Sequence, residues 1–84
     1  MKVSATKRAA LAAVLTRIND QGFAPSGDDL ARSLGISRAR GYQILDEMEA
    51  QGLITRSRYP GGIAVPHQIR LTKAAMKALR EDMT

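Results

Sequence analysis

The residues capable of chemistry in this 84-residue chain are arginines, a few hydroxyls and carboxylates, and one histidine. Cysteine is absent, which excludes disulfide frameworks, thiolate metal sites and thiol nucleophiles together. His67 has no carboxylate close to it in sequence, so it reads as a loop histidine with no metal site. No nucleophile–base pair, carboxylate pair or Gly-rich phosphate loop can be recognised, and Gly61-Gly62 alone makes only a turn. The expectation is therefore a binder, not an enzyme, with neither metal nor cofactor. Net charge is +5. Between Ala50 and Arg80 lie Arg56, Arg58, Arg70, Lys73, Lys77 and Arg80 without one acidic residue. Basic clustering of this kind suits a polyanion. A solvated basic surface without a partner is the competing reading.

Those side chains must be held by elements, and the spacing supplies them. Leu11, Val14, Leu15 and Ile18 recur at helical intervals, which predicts a first helix over residues 4–21 with Gly22 as its left-handed cap. Phe23 is then expected to pack inward. Ser26 followed by Asp29 forms a capping box for a second helix, which ends near Leu34 before Gly35 and faces inward with Leu30, Ala31 and Leu34. A short turn leads to a third helix over 37–51, with Ser37 as N-cap and Gly52 as C-terminal cap. Its inner face is Ile44, Leu45 and Met48. Gly41, on the same side, implies either close approach of another helix or a kink. A hairpin over 53–71 follows, with strands 53–58 and 68–71 around the turn signal Tyr59-Pro60-Gly61-Gly62. Pro66 delays the returning strand. Ile54, Arg56 and Arg58 share one face of the first strand. The stretch Ile63 to Pro66 makes the hairpin apolar, suited to folding back on the body or to meeting a partner. Thr72 caps a last helix to about Asp82, with Ala75, Met76, Leu79 and Met83 as its apolar residues. The fold class is mainly α with a small β-hairpin, in one domain over 1–84.

Two helices joined by a short Gly-containing turn form a helix-turn-helix, whose second helix presents its N-terminal residues to a DNA major groove. With Ile44, Leu45 and Met48 inward, the outer face carries Ala39, Tyr42, Gln43 and Asp46, flanked by Arg38 and Arg40. Ser37 and the first-turn amides suit a phosphate. Arg38 and Arg40 suit guanine, and Gln43 suits adenine. Tyr42 suits a phosphate or a thymine methyl, while Asp46, Glu47 and Glu49 lie further along, where repulsion from phosphates is weaker or where they can orient the arginines. Arg56, Arg58 and Arg70 on the hairpin suit the backbone or the minor groove. Solvated helix charges, and charged guards of an edge hairpin, are the alternatives.

The run Leu30-Ala31-Arg32-Ser33-Leu34-Gly35-Ile36-Ser37-Arg38, then Asp46-Glu47-Met48-Glu49-Ala50-Gln51-Gly52-Leu53-Ile54, resembles the winged helix-turn-helix of MarR-type regulators. Arg70-Leu71-Thr72-Lys73 resembles that family's passage from wing to last helix, while Ala24, Pro25 and Ser26 look closer to the LexA-type DNA-binding domain. The likeness covers about Pro25 to Leu79. It implies sequence-specific binding to double-stranded DNA by a small cytoplasmic regulator, a repressor, acting as a homodimer. The Ala-rich face of the first helix and Met76, Leu79 and Met83 are the expected dimer contact. Two departures stand out. MarR-type proteins carry long terminal helices for dimerisation and effector binding, which 84 residues leave little room for, so no small-molecule effector is expected. Gly41 also stands where that family usually has a β-branched residue. A protein-interaction module and a replication or partition accessory protein are the competing functions. Arg17, Asn19 and Asp20 interrupt the apolar N-terminal stretch, which argues against a secretory signal.

Overall fold

The computed structural model describes residues 3–82. Four helices and one antiparallel hairpin run in the order α1 (Ala5–Gln21), α2 (Gly27–Leu34), α3 (Arg38–Ala50), β1 (Ile54–Arg58), β2 (Ala64–Leu71) and α4 (Lys73–Asp82). Among these residues no helix is long and apolar enough to cross a membrane.

Helix α1 starts at Ser4, whose Oγ accepts from the Lys7 amide, and stops at Gly22 with φ 82°. It buries Ala10, Leu11 and Val14, while Ile18 packs against the core edge. Leu15, expected on that face, is half-buried. Phe23 corrects the expectation more firmly. The residue is 44% exposed, and its ring stands edge-on to the His67 ring with centroids 5.3 Å apart. The left-handed turn at Gly22 points the next side chain outward, and the smaller Ala24 takes the interior place at 1% exposure.

The capping box of α2 forms as read. The Asp29 amide donates to Ser26 Oγ at 3.2 Å, and the Ser26 amide donates back to Asp29 Oδ2 at 3.3 Å. The backbone bond from Ser26 is the largest influence on the Asp29 carboxyl and holds it below its ordinary pKa; burial opposes this, and the Ser26 hydroxyl, Arg17 and Arg32 assist. Gly35, at φ 68°, ends the helix and lets Ile36 donate back to the Ala31 carbonyl at 3.0 Å.

Helix α3 settles the question raised by Gly41. A Cβ there would lie 2.7 Å from the Gly27 carbonyl oxygen and 3.0 Å from Ala31 Cβ. The missing side chain therefore marks the crossing of α2 over α3. Ile44, Leu45 and Met48 enter the core with Leu11, Val14, Leu30, Leu53 and Ile54. Gly52, at φ 76°, lies one residue past the C-cap, which is Gln51.

The hairpin pairs Ile54 with Leu71, Thr55 with Arg70 and Arg56 with Ile69, then slips so that Arg58 faces Ala64. The second strand thus begins at Ala64, earlier than expected, because the slip accommodates Pro66. Residues 65–68 have no registered partner on β1, so the proline's missing N–H interrupts no ladder bond. His67 takes φ 65° within this bulged stretch. Thr72 Oγ1 accepts from the Ala75 amide at 3.2 Å and also bonds the Gly52 carbonyl at 2.7 Å, which ties α4 to the end of α3. Ala75 is fully buried, Leu79 half-buried and Met76 39% exposed. Met83 lies outside the described residues.

Two outcomes follow. Gly41→Ala gains helix propensity, but its Cβ meets backbone, which yields little. Chemical denaturation should show a net loss of about 1–3 kcal/mol. Asp29 contributes stability that is fully present above its unfolded pKa, near 4, and is lost as pH falls below that value toward the depressed folded one. Unfolding midpoints between pH 5 and pH 2.5 should therefore fall more steeply for the wild type than for Asp29→Asn.

Candidate nucleic-acid interface

The outward strip of α3 runs through Ala39, Gln43 and Asp46, all exposed. Arg38 and Arg40 stand on opposite flanks of it, because two residues turn a helix by about 200°. Arg38 is 75% exposed and forms an ion pair with Asp28, its Nε 2.7 Å from Oδ1, across the turn onto α2. The same guanidinium lies 6.0 Å from the Tyr42 ring centroid, at the outer range of a cation–π contact. The Tyr42 ring rests on Gly27, where any Cβ would meet it at 2.6 Å. Arg38 and Tyr42 thus form one ledge on the α2 side of the strip. Arg40 turns the other way, with Nη1 3.4 Å from Glu47 Oε2, and Lys7 of α1 reaches the same carboxylate at 3.4 Å. Ser37 spends its Oγ as the cap, accepting from the Arg40 amide at 3.1 Å. The first helical amides, which no α-helix satisfies internally, remain at this end.

The hairpin arginines divide into distinct situations. Arg56 is turned inward with only 7% of its side chain exposed. Its Nη2 donates to Asp46 Oδ1 and to Glu49 Oε1, both at 2.7 Å, and its Nε donates to Glu49 at 3.2 Å. Burial opposes its charge, yet the bonds to Asp46 and Glu49 outweigh that and raise the guanidinium above its ordinary pKa. Arg58 is 42% exposed; it shares Glu49 and donates from Nη1 to the Gly62 carbonyl at 3.0 Å. Arg70 is exposed and makes no ion pair among the described residues. Ile54, Arg56 and Arg58 do share a face, as alternation indicated. That face looks onto α3, so only Arg58 and Arg70 keep a guanidinium at the surface.

His67 also departs from the reading of a loop residue. It sits inside β2, its Nδ1 lies 2.8 Å from the Ala24 carbonyl, and folding brings Asp29 Oδ2 to 3.9 Å. No cluster of three His, Asp or Glu residues suited to a metal occurs among the described residues. Asp46 and Glu49 orient arginines as their place on α3 suggested, and the arginines they hold are Arg56 and Arg58 of the wing. Sequence reasoning missed Asp28 and Gly27 as partners of the site. Only Gly27 carried a signal, as a glycine inside a first helical turn. Asp28 reaches across elements, which spacing does not reveal.

Helix-turn-helix, hairpin and closing helix in this arrangement are a winged helix-turn-helix fold, with α3 in the place of the recognition helix. Solved structures agree. The MepR–DNA complex of Staphylococcus aureus superposes with a TM-score of 0.74 over 96% of this chain and 57% of that one, at 17% identity. A ZitR mutant of Lactococcus lactis gives 0.70 over 99% and 52%, at 23% identity. A MarR family protein from Bacillus stearothermophilus gives 0.69 over 99% and 53%, at 18% identity. In sequence the similarity lies elsewhere. Two LexA repressor sequences of Xylella fastidiosa are 34% and 33% identical over 99% of this chain. The chain spans 40% of the length of these curated relatives. No family model matches it. The LexA likeness first seen at Ala24, Pro25 and Ser26 therefore extends along the whole chain, while the fold is shared with MarR-type proteins.

Arg56 and Arg70 should separate in a stability measurement. Arg56→Ala removes the bonds to Asp46 and Glu49 that hold the middle of the hairpin to α3, leaving Glu49 with Arg58 alone, an expected loss of about 1–3 kcal/mol on denaturation. Arg70→Ala should stay within about 0.5 kcal/mol of wild type.

Proposed function

We propose that this chain binds double-stranded DNA sequence-specifically and acts as a small transcriptional repressor in the cytoplasm, by binding and not by catalysis. The carrying observation is the exposed Ala39–Gln43 strip of α3, held rigidly by the Gly41 crossing and edged by the Arg38–Tyr42 ledge. Such a strip fits the major groove, which is wide enough for a helix. Gln43 has the two-point geometry for adenine, and Ala39 leaves room for close approach. Ser37 and the first-turn amides approach a phosphate. Arg38 is placed for guanine or for the adjacent backbone, and Tyr42 for a phosphate or thymine methyl. Arg58 and Arg70 on the wing supply backbone or minor-groove contacts. Arg40 sits on the α1 flank, near enough to a groove wall for a phosphate. Arg56 serves the interface by holding it together. The repressor names of the sequence relatives, and the DNA in the MepR complex, support the same reading.

One such domain reads few base pairs, and two-fold dimers match paired half-sites. A homodimer fits that need. The exposed alanines Ala5, Ala9 and Ala12 of α1 and Met76 of α4 offer apolar surface for it.

Binding to duplex DNA across a salt series tests the proposal. Log affinity should fall against log salt with a slope of about −0.9 per phosphate neutralised. Arg70→Ala should make that slope shallower by about 1, uniformly across sequences. Arg38→Ala should weaken the preferred site about 5- to 100-fold and reduce discrimination. A slope near zero overturns the reading.

A further inference from the structure

Asp46 is unexpected in a surface built to meet phosphates. It lies on the line of Ala39, two turns further along α3, and its side chain is 71% exposed. Yet it is not loose. Its Oδ1 takes the Arg56 bond at 2.7 Å, and Arg56 itself is only 7% exposed and locked from the other side by Glu49. Oδ2 has no hydrogen-bond partner among the described residues. The result is a carboxylate fixed in orientation by a buried guanidinium, with one oxygen presented outward beside Gln43. A side chain serving only to tether Arg56 needs no such exposure, since Glu49 already gives that guanidinium two bonds.

The geometry points to Asp46 as a base-reading acceptor that selects cytosine in the DNA site; this rests on the DNA-binding reading above. In the major groove the hydrogen-bond donors are the exocyclic amino groups of cytosine and adenine. Adenine places its N7 acceptor beside that amino group, which repels a carboxylate. Cytosine places only a carbon-bound hydrogen there, so the N4 amino group is the compatible partner. Guanine and thymine present acceptors at the corresponding position and are repelled. The Arg56 guanidinium offsets the carboxylate's charge against neighbouring phosphates. It also fixes the side-chain rotamer, so little ordering is left to occur on binding. Arg56 is thus a positioning residue for Asp46.

Site selection from random duplexes, followed by affinity measurements on single-base variants of the winning site, tests this. The protein is compared as wild type, Asp46→Asn and Asp46→Ala, each checked by thermal unfolding. The wild type should require cytosine at one position in each half-site, with about 5- to 30-fold discrimination. Asp46→Asn keeps an oxygen for Arg56 and turns the amide N–H outward, a donor that matches the major-groove acceptors of guanine and thymine and not the cytosine amino group. It should lose the cytosine preference and gain guanine or thymine at the same position, with the salt slope unchanged. Asp46→Ala should lose the preference and gain none. A gain of new specificity is something a purely structural carboxylate would not produce. Selection of one unchanged site by all three proteins, with equal cytosine discrimination, overturns the assignment while leaving DNA binding intact. A wild type that binds no duplex overturns both readings.

Discussion

The site depends on the contact between α2 and α3 at Gly41. A helix presented to a groove must not rock, and short surface helices have few ways to be held. Here the α3 backbone comes so near the Gly27 carbonyl and Ala31 that no side chain fits between them. Close contact brings many weak dispersion attractions into play and leaves the pair little freedom to slide. The glycine costs α3 about 1 kcal/mol of intrinsic propensity, and packing must exceed that. On the same side the Tyr42 ring lies over Gly27, so two glycines on two helices shape one seam. The ledge of Arg38 and Tyr42 is the outer edge of that seam.

A second set of contacts fixes the wing. A two-stranded hairpin is marginal by itself and needs something to pack on. Ile54 and Ile69 anchor its base in the core, while further out the ladder slips and the register is lost. There Arg56 and Arg58 converge on Glu49, with Asp46 joining from one turn earlier. The base of the wing is thus held by apolar burial and its middle by charge. His67 adds a third tie, from the bulged strand to the Ala24 carbonyl. Its left-handed backbone is an uncommon conformation for a non-glycine residue. The ring bond and the Phe23 contact are what oppose that local cost.

Much of this was legible from residue types. Ser26 with Asp29, Ser37 and Thr72 marked helix starts because their hydroxyls or carboxylate satisfy backbone amides within three residues, and local rules govern local bonds. Gly22 and Gly35 marked ends for the same reason. Gly41 announced a constraint, although its partner required the fold. The misreadings involve tertiary geometry. Phe23 is large and apolar, yet the turn before it leaves Ala24 the inward direction. Pro66 suggested a late strand, but a bulge absorbs it. The wing arginines read alike in sequence, and alternation placed Arg56 and Arg58 together without saying that these, and not Arg70, would meet the α3 acids.

That last point limits what charge alone conveys. The stretch from Ala50 to Arg80 is purely basic in sequence, and the preceding helix is rich in acid. Read separately, they suggest a cationic wing beside an anionic helix end. Folded together, Glu49 and Asp46 neutralise the inner arginines at contact distance. On the wing the field presented outward then comes foremost from Arg70, the arginine with no acid facing it among the described residues. An electrostatic surface of this kind carries less non-specific attraction and leaves more of its discrimination to geometry. In the proposed DNA complex, the side chains whose orientation is fixed by a neighbour are then the ones suited to distinguishing one base from another.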